Sequence, residues 1–223
     1  MSSRNITADS TRRLVLDAFA GVQELVESGE TPLSSEATMR FLFAWRLGRL
    51  LDFSDAYRFD FEWNGYSAID TDDTSLDLLV FTDPTYKVAL EFKLPKSSGL
   101  HGSNSTQTRA KICRDISRLS YLVRNDINSI RVAYFICVTD EGSYLTEGRT
   151  VSNTQYRTYQ GTTYDAGSVI PAGEPPNGIA RPHAFPAHAV SFEWLGVEAR
   201  GEASGRLVPI GRFAWLRPIE IAG

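Results

Sequence analysis

Two short apolar runs, Leu76 to Phe81 and Lys87 to Leu94, separated by Thr82-Asp83-Pro84-Thr85-Tyr86, constrain this chain more than any other stretch. Both runs are rich in β-forming residues and the Asp-Pro pair is a turn signal, so the segment predicts a β-hairpin. If Phe81 pairs with Lys87, the same register sets Asp77 opposite Glu91. Side chains alternate along a strand, so Glu91 and Lys93 share a face and Asp77 points to it. Directly opposed residues have Cβ atoms about 4.5–5.5 Å apart. Their neighbours on that face are Leu79, Phe81 and Ala89, and the other face is wholly apolar, with Val88, Leu90, Phe92 and Leu94. The pattern predicts a sheet covered on both sides, where unpaired charge is costly. Opposed carboxylates are destabilising unless a cation lies between them, and a divalent ion that takes oxygen ligands, most simply Mg²⁺, meets that need. An ordinary cross-strand salt bridge from Lys93 to Asp77 or Glu91 is the competing reading. One β-bulge between 81 and 87 would turn Asp77 to the opposite face.

With 223 residues, 42% hydrophobic and 22% charged, the chain fits one globular domain with a substantial core, or a domain carrying an extension. No apolar run approaches the roughly 20 residues of a membrane span, and Met1 to Asp9 lacks the apolar stretch of a secretory signal. Cys113 and Cys137 fall in a predicted helix and a predicted strand, where buried free thiols of a reducing cytoplasm are expected. The net charge of −4 argues mildly against a general polyanion binder. Its distribution is uneven. Residues 52–83 carry nine acids against one base, Arg58, whereas residues 87–131 carry nine bases against three acids. An acidic hairpin beside a basic helix is what metal-assisted chemistry on a phosphodiester needs.

Along the chain, helical periodicity predicts an amphipathic helix over 10–28 and a second over about 35–51, whose apolar residues nearly encircle it. Glu36 stands in the first turn of the second helix, where stabilisation of the helix dipole is its simplest role. Arg58 to Tyr66 reads as a strand and residues 69–75 as a polar connection. After the hairpin, residues 95–106 form a loop rich in glycine and serine. Gln107 to Asp126 predicts a strong helix, with Lys111, Arg114 and Arg118 spaced as one basic stripe. Ile130 to Thr139 is the best strand pattern in the chain and should be central. Beyond Asp140 the sequence is turn-rich around Gly173 to Gly178, with strands predicted over 190–195 and 207–216. The order helix, strands, helix, strand predicts an α/β sandwich with a mixed sheet. Trp45, Trp63, Trp194 and Trp215 are expected as core anchors.

A strand aspartate, a turn, then Glu91-Phe92-Lys93 on the next strand, flanked by helices, resembles the PD-(D/E)XK nuclease superfamily. The matching region runs from about Ser35 to Thr139. Leu76 stands where that motif often has proline. The resemblance implies a restriction-endonuclease-like αβββαβ core with a central mixed sheet flanked by helices. On this reading residues 1–139 form the nuclease-like core with an N-terminal helix, and residues 140–223 a β- and loop-rich extension packed on the same domain. The resemblance further implies metal-dependent phosphodiester hydrolysis, usually of DNA, with RNA a remaining alternative, in settings such as restriction or anti-phage defence. Asp77 and Glu91 would bind Mg²⁺, or Mn²⁺ as its substitute, with the Phe92 carbonyl as an extra ligand. Lys93 would orient or deprotonate the attacking water. Glu36 would be an outer ligand, with Glu62 or Asp60 as competitors for that place. Lys96, Lys111, Arg114 and Arg118 would hold phosphate oxygens, and His101 and Asn104 lie on a loop that could touch substrate. A homodimer is the simplest assembly for cutting both strands of a duplex.

Other constellations are weak. His183 and His188 have no zinc-like spacing, and no Ser-His-Asp elbow, Walker loop or dinucleotide motif occurs. Two further readings remain open: a catalytically silent nucleic-acid-binding or assembly module of the same fold, and an unrelated α/β binding domain with a fortuitous salt bridge.

Overall fold

The computed structural model describes residues 8–51, 58–69, 73–83, 86–97, 105–147, 155–170, 183–201 and 206–223. Helices α1 (Ala8–Glu27) and α2 (Glu36–Leu50) open the chain. Strands β1 (Arg58–Trp63), β2 (Leu76–Asp83) and β3 (Tyr86–Lys93) follow, then α3 (Ser105–Arg124) and β4 (Ile130–Thr139). The predicted hairpin is present in the predicted register. β2 and β3 pair antiparallel, with Phe81 opposite Lys87, Leu79 opposite Ala89 and Leu78 opposite Leu90. A bulge does occur, but between Phe81 and Asp83, on the turn side of the Phe81–Lys87 pair. It therefore leaves the facing of Asp77 unchanged.

β3 pairs with β4 in parallel through the α3 crossover, and β1 pairs with β2 antiparallel. The outer side of β4 is closed by two C-terminal strands, Ala214–Leu216 and Ile219–Ala222, both antiparallel to it, and Trp194–Leu195 pairs with the first of these. The chain is thus a mixed α/β protein whose central seven-stranded sheet is mostly antiparallel, with three α-helices among the described residues. The segment beyond residue 140 is more than an appendage, because it supplies strands to that sheet. Its remaining strands form three two-stranded pairs outside it.

The alternation read from the sequence becomes two cores. Leu78, Val80, Val88, Leu90 and Phe92 pack against α1 and α2 on one face. Leu79, Ala89, Ala133 and Phe135 pack against Ile112, Ile116 and Leu119 of α3 on the other. Each fully buried Leu, Ile or Phe side chain contributes about 1.5–3 kcal/mol, so both faces are strongly held. Cys113 and Cys137 are free and buried. Trp194 and Trp215 are buried anchors, while Trp45 and Trp63 are half-buried. Trp215 donates its indole N–H to Glu27 Oε1 at 2.7 Å, tying the C-terminal strands to the end of α1. Among the described residues, no helix is long and apolar enough to cross a membrane.

Candidate functional site

The open end of the β2–β3 hairpin, opposite its turn, carries the charged residues singled out above. Continuing the observed register by one residue beyond Leu78–Leu90 sets Asp77 opposite Glu91. Asp77 Oδ2 accepts a hydrogen bond from the Phe92 backbone N–H at 2.8 Å. Asp77 and Glu91 are close enough for each to act on the other. Glu91 is 3% exposed, and its Oε1 has no hydrogen-bond partner. Burial first, then repulsion from Asp115 and Asp77, pushes the Glu91 carboxyl well above its ordinary range, against the opposing pull of Lys93.

Lys93 reaches towards both helix layers. Its Nζ lies 2.9 Å from Asp115 Oδ2 on α3 and 3.8 Å from Glu36 Oε2 on α2. Burial alone would lower its pKa, but Asp115 and then Glu36, Glu91 and Asp77 outweigh it and hold the amine above its usual value. An ammonium held this firmly is suited to stabilise charge and to donate hydrogen bonds. Asp115, with a side chain 1% exposed, is the acid that the sequence analysis did not single out. Burial would raise its pKa, but Lys93, Arg114 and Arg118 together hold it below the ordinary carboxylate range. The available signal was a lone acid on the apolar face of α3, between Ile112 and Leu119 at helical spacing.

Glu36 is placed by the start of α2. Ser35 caps that helix, its side chain accepting from the Thr38 N–H at 3.1 Å. Glu36 Oε1 then accepts from the Leu94 N–H at 3.3 Å, which fastens α2 to the end of β3. One turn on, Arg40 was also missed by the sequence reading. It donates to Asp77 Oδ1 at 3.1 Å and to Glu62 Oε1 at 3.2 Å. Glu62 therefore does join the site, but as a partner of Arg40 rather than as a substitute for Glu36. Asp60 is exposed on edge strand β1.

The expected phosphate-holding residues are dispersed. Lys96 Nζ donates to the Leu33 and Ser34 carbonyls, at 3.0 and 3.3 Å, and so braces the α1–α2 connection. Arg118, expected in a basic stripe that holds phosphate oxygens, is turned inward. Its side chain is 5% exposed, and it donates to Asp73, Asp115 and the carbonyls of Asp73 and Ser75 while its guanidinium lies 3.7 Å from the centre of the Tyr66 ring. Arg114 pairs with Asp73 at 2.5 Å and with Asp115. Both arginines pin the connection that leads into β2, and Lys111 alone of the three faces solvent. The Phe92 carbonyl, expected as a metal ligand, accepts from Lys93 Nζ at 3.4 Å. His101 and Asn104 lie outside the described residues, as does the turn-rich centre at 173–178; nothing is described of the His183 side chain. His188 Nε2 is hydrogen-bonded to the Glu220 carbonyl oxygen at 2.8 Å.

The residues present fit a hard divalent ion in one respect: a buried, unpartnered carboxylate oxygen on Glu91 adjoins a second carboxylate, Asp77. Among the described residues, no three or more His, Cys, Asp or Glu side chains form a ready-made ion cage. Mg²⁺ commonly takes one or two carboxylates and completes its shell with water and substrate phosphate, so a pair of acids is a sufficient protein contribution. No family model, no curated protein and no solved structure matches this chain, and the reading of the site therefore rests on its own geometry.

Proposed function

We propose that the protein is a metal-dependent nuclease that hydrolyses phosphodiester bonds, most simply as a DNA endonuclease, with a core of the restriction-endonuclease-like kind. The observation that carries this reading is the meeting of Asp77, Glu91 and Lys93 at one end of the β2–β3 ribbon, with Glu91 Oε1 unpartnered. Asp77 and Glu91 would hold the ion, Mg²⁺ or Mn²⁺, and the bound ion would supply a polarised phosphoryl oxygen and a more acidic water. The Phe92 N–H orients Asp77. Lys93, kept charged by Asp115, offsets negative charge that grows on the phosphate in the transition state. Glu36 positions Lys93 and the end of β3 rather than reaching the ion directly. Lys111 remains the solvent-facing cation of α3 for phosphate contact.

A second reading, a catalytically silent nucleic-acid-binding or assembly module, is favoured by one observation: Asp77 and Lys93 are both fully engaged by internal partners. One experiment separates the two. Purified protein is incubated with plasmid and single-stranded DNA in Mg²⁺ or Mn²⁺, beside Asp77→Asn and Glu91→Gln variants and a chelator control. The nuclease reading expects cleavage that chelator abolishes and that falls at least about a hundredfold in each variant. Cleavage that survives both substitutions rules it out. Absence of cleavage with salt-sensitive DNA binding supports the second reading.

A further inference from the structure

Arg40 occupies a position that the metal-dependent reading does not assign. Its guanidinium bridges carboxylates from two strands, Asp77 Oδ1 at 3.1 Å and Glu62 Oε1 at 3.2 Å, and Asp77 in turn adjoins Glu91, whose Oε1 is unpartnered. With the Phe92 N–H on Oδ2, each oxygen of Asp77 already accepts a hydrogen bond. The two ends of this bridge differ. Asp77 is 18% exposed, whereas Glu62 is 66% exposed, and an ion pair to so solvated a carboxylate is worth little. Glu62 also has a left-handed backbone, with φ of 56°, and lies between the Phe61–Leu78 and Trp63–Leu76 pairs, at the place that would face Asp77. A non-glycine residue held there stores strain, and such strain gathers at functional sites. From there the Glu62 carboxylate reaches a guanidinium that is itself near the surface, 16% exposed. Glu62 is thus an anion seated on an arginine at the mouth of an acidic site. A phosphate carries the same charge sign, and its oxygen pair can in addition match both arms of a guanidinium fork.

Resting on the metal-dependent reading, we propose that Arg40 is an exchangeable counter-ion: it holds Asp77 in place of the divalent ion in the free protein, and passes to the substrate phosphate, displacing Glu62, when ion and substrate enter. Arg40 is then a positioning residue with two opposed effects. It opposes binding of the ion alone, because the guanidinium must leave Asp77 first. It favours binding of the phosphodiester, because the freed fork has an oxyanion to hold. A purely structural arginine would not produce that pair of effects.

The test measures Mn²⁺ binding by electron paramagnetic resonance without nucleic acid, and binding of a short duplex oligonucleotide in Ca²⁺, for the full chain. The variants are Arg40→Gln, Arg40→Lys and Asp77→Asn, each checked for native circular dichroism. Arg40→Gln is expected to bind Mn²⁺ about tenfold more tightly than the unaltered protein, since the competent state no longer has to be released from a competing ion pair. The same variant should bind the oligonucleotide about tenfold more weakly. Arg40→Lys keeps the charge and loses the fork, so its Mn²⁺ affinity should stay near the original while oligonucleotide binding remains weak. If Arg40→Gln binds Mn²⁺ no better than the unaltered protein while Asp77→Asn has lost it, the exchange is overturned and the metal site stands. If neither the unaltered protein nor Arg40→Gln binds Mn²⁺ any better than Asp77→Asn, the metal-dependent reading fails and the exchange fails with it.

Discussion

Removing Lys93 and removing Asp115 are unequal operations, although the two side chains form one ion pair at 2.9 Å. Without Lys93, Asp115 keeps Arg114 and Arg118 as partners. Without the Asp115 charge, Lys93 loses its nearest counter-ion and, in a largely buried position, keeps the more distant Glu36 and the weaker pull of Glu91 and Asp77. Lys93→Met should therefore cost about 1–3 kcal/mol, and Asp115→Asn about 3–5 kcal/mol, the range for a buried ion pair broken at one partner. Urea unfolding in chelator measures both, and equal losses would contradict this account of the cluster. The pH dependence follows from the directions of the two shifts. Asp115 lies below its ordinary value, so its contribution is present above about pH 3.9 and is lost as pH falls through its native value. Lys93 lies above its ordinary value, so its contribution is present below about pH 10.4 and is lost as pH rises through its native value. The pair thus supports the fold throughout the neutral range.

At the scale of elements, α2 is the part that couples fold to site. Glu36 and Arg40 are four residues apart and project from one face of the helix, one to the end of β3 and the other to the start of β2. Their placement depends on where the helix begins, and that is set by the Ser35 cap. Ser35→Ala should cost about 1 kcal/mol in global stability. It should also fray the first turn and so loosen the Glu36 bond to the Leu94 N–H. Hydrogen exchange at Leu94 is the measurement. Faster exchange there than at Leu90, a backbone position inside the same strand, is expected; uniform change along β3 would show that the cap acts on global stability alone. The start of α2 and the acid in its first turn were legible from Thr31-Pro32-Leu33-Ser34-Ser35. The role of Arg40 was not, because a basic residue on a helix has no sequence mark that separates a solvated charge from a bridging one.

The whole molecule is built on one seven-stranded sheet with a core on each face, and the thiols report on it. Cys113 on α3 and Cys137 on β4 are both fully buried, and neither is paired. Burial pushes the Cys113 thiol up to about 12, and it raises Cys137 as well. At pH 8 the thiolate fraction of Cys113 is then about one in ten thousand, and the thiolate is the reactive species. Both thiols are expected to resist iodoacetamide in the native protein and to react together once denaturant unfolds it. Rapid native alkylation of either would disprove the packing of α3 on β4. A thiol whose native pKa is raised contributes stability that is present below about pH 8.5 and is lost as pH rises towards its native value. Tyr134 and Tyr164 are raised in the same direction, also mainly by burial, so the unfolding midpoint should fall on the alkaline side of about pH 9.

Local pattern alone determined the hairpin, its register and the common face of Asp77, Glu91 and Lys93, because strand alternation is a property of the backbone and needs no partner. It likewise set the three helices and β4, whose periodicities are long. Tertiary structure decided which charges are spent. Arg114 and Arg118 look identical to solvated bases in a helical repeat, yet the approach of residue 73 turns them inward, and Asp115 acquires its weight only when α3 lies across the end of β3. The closing of β4 by residues 214–222 was equally beyond local pattern. Strand pairing between segments about eighty residues apart depends on long-range packing that short-range propensity does not encode.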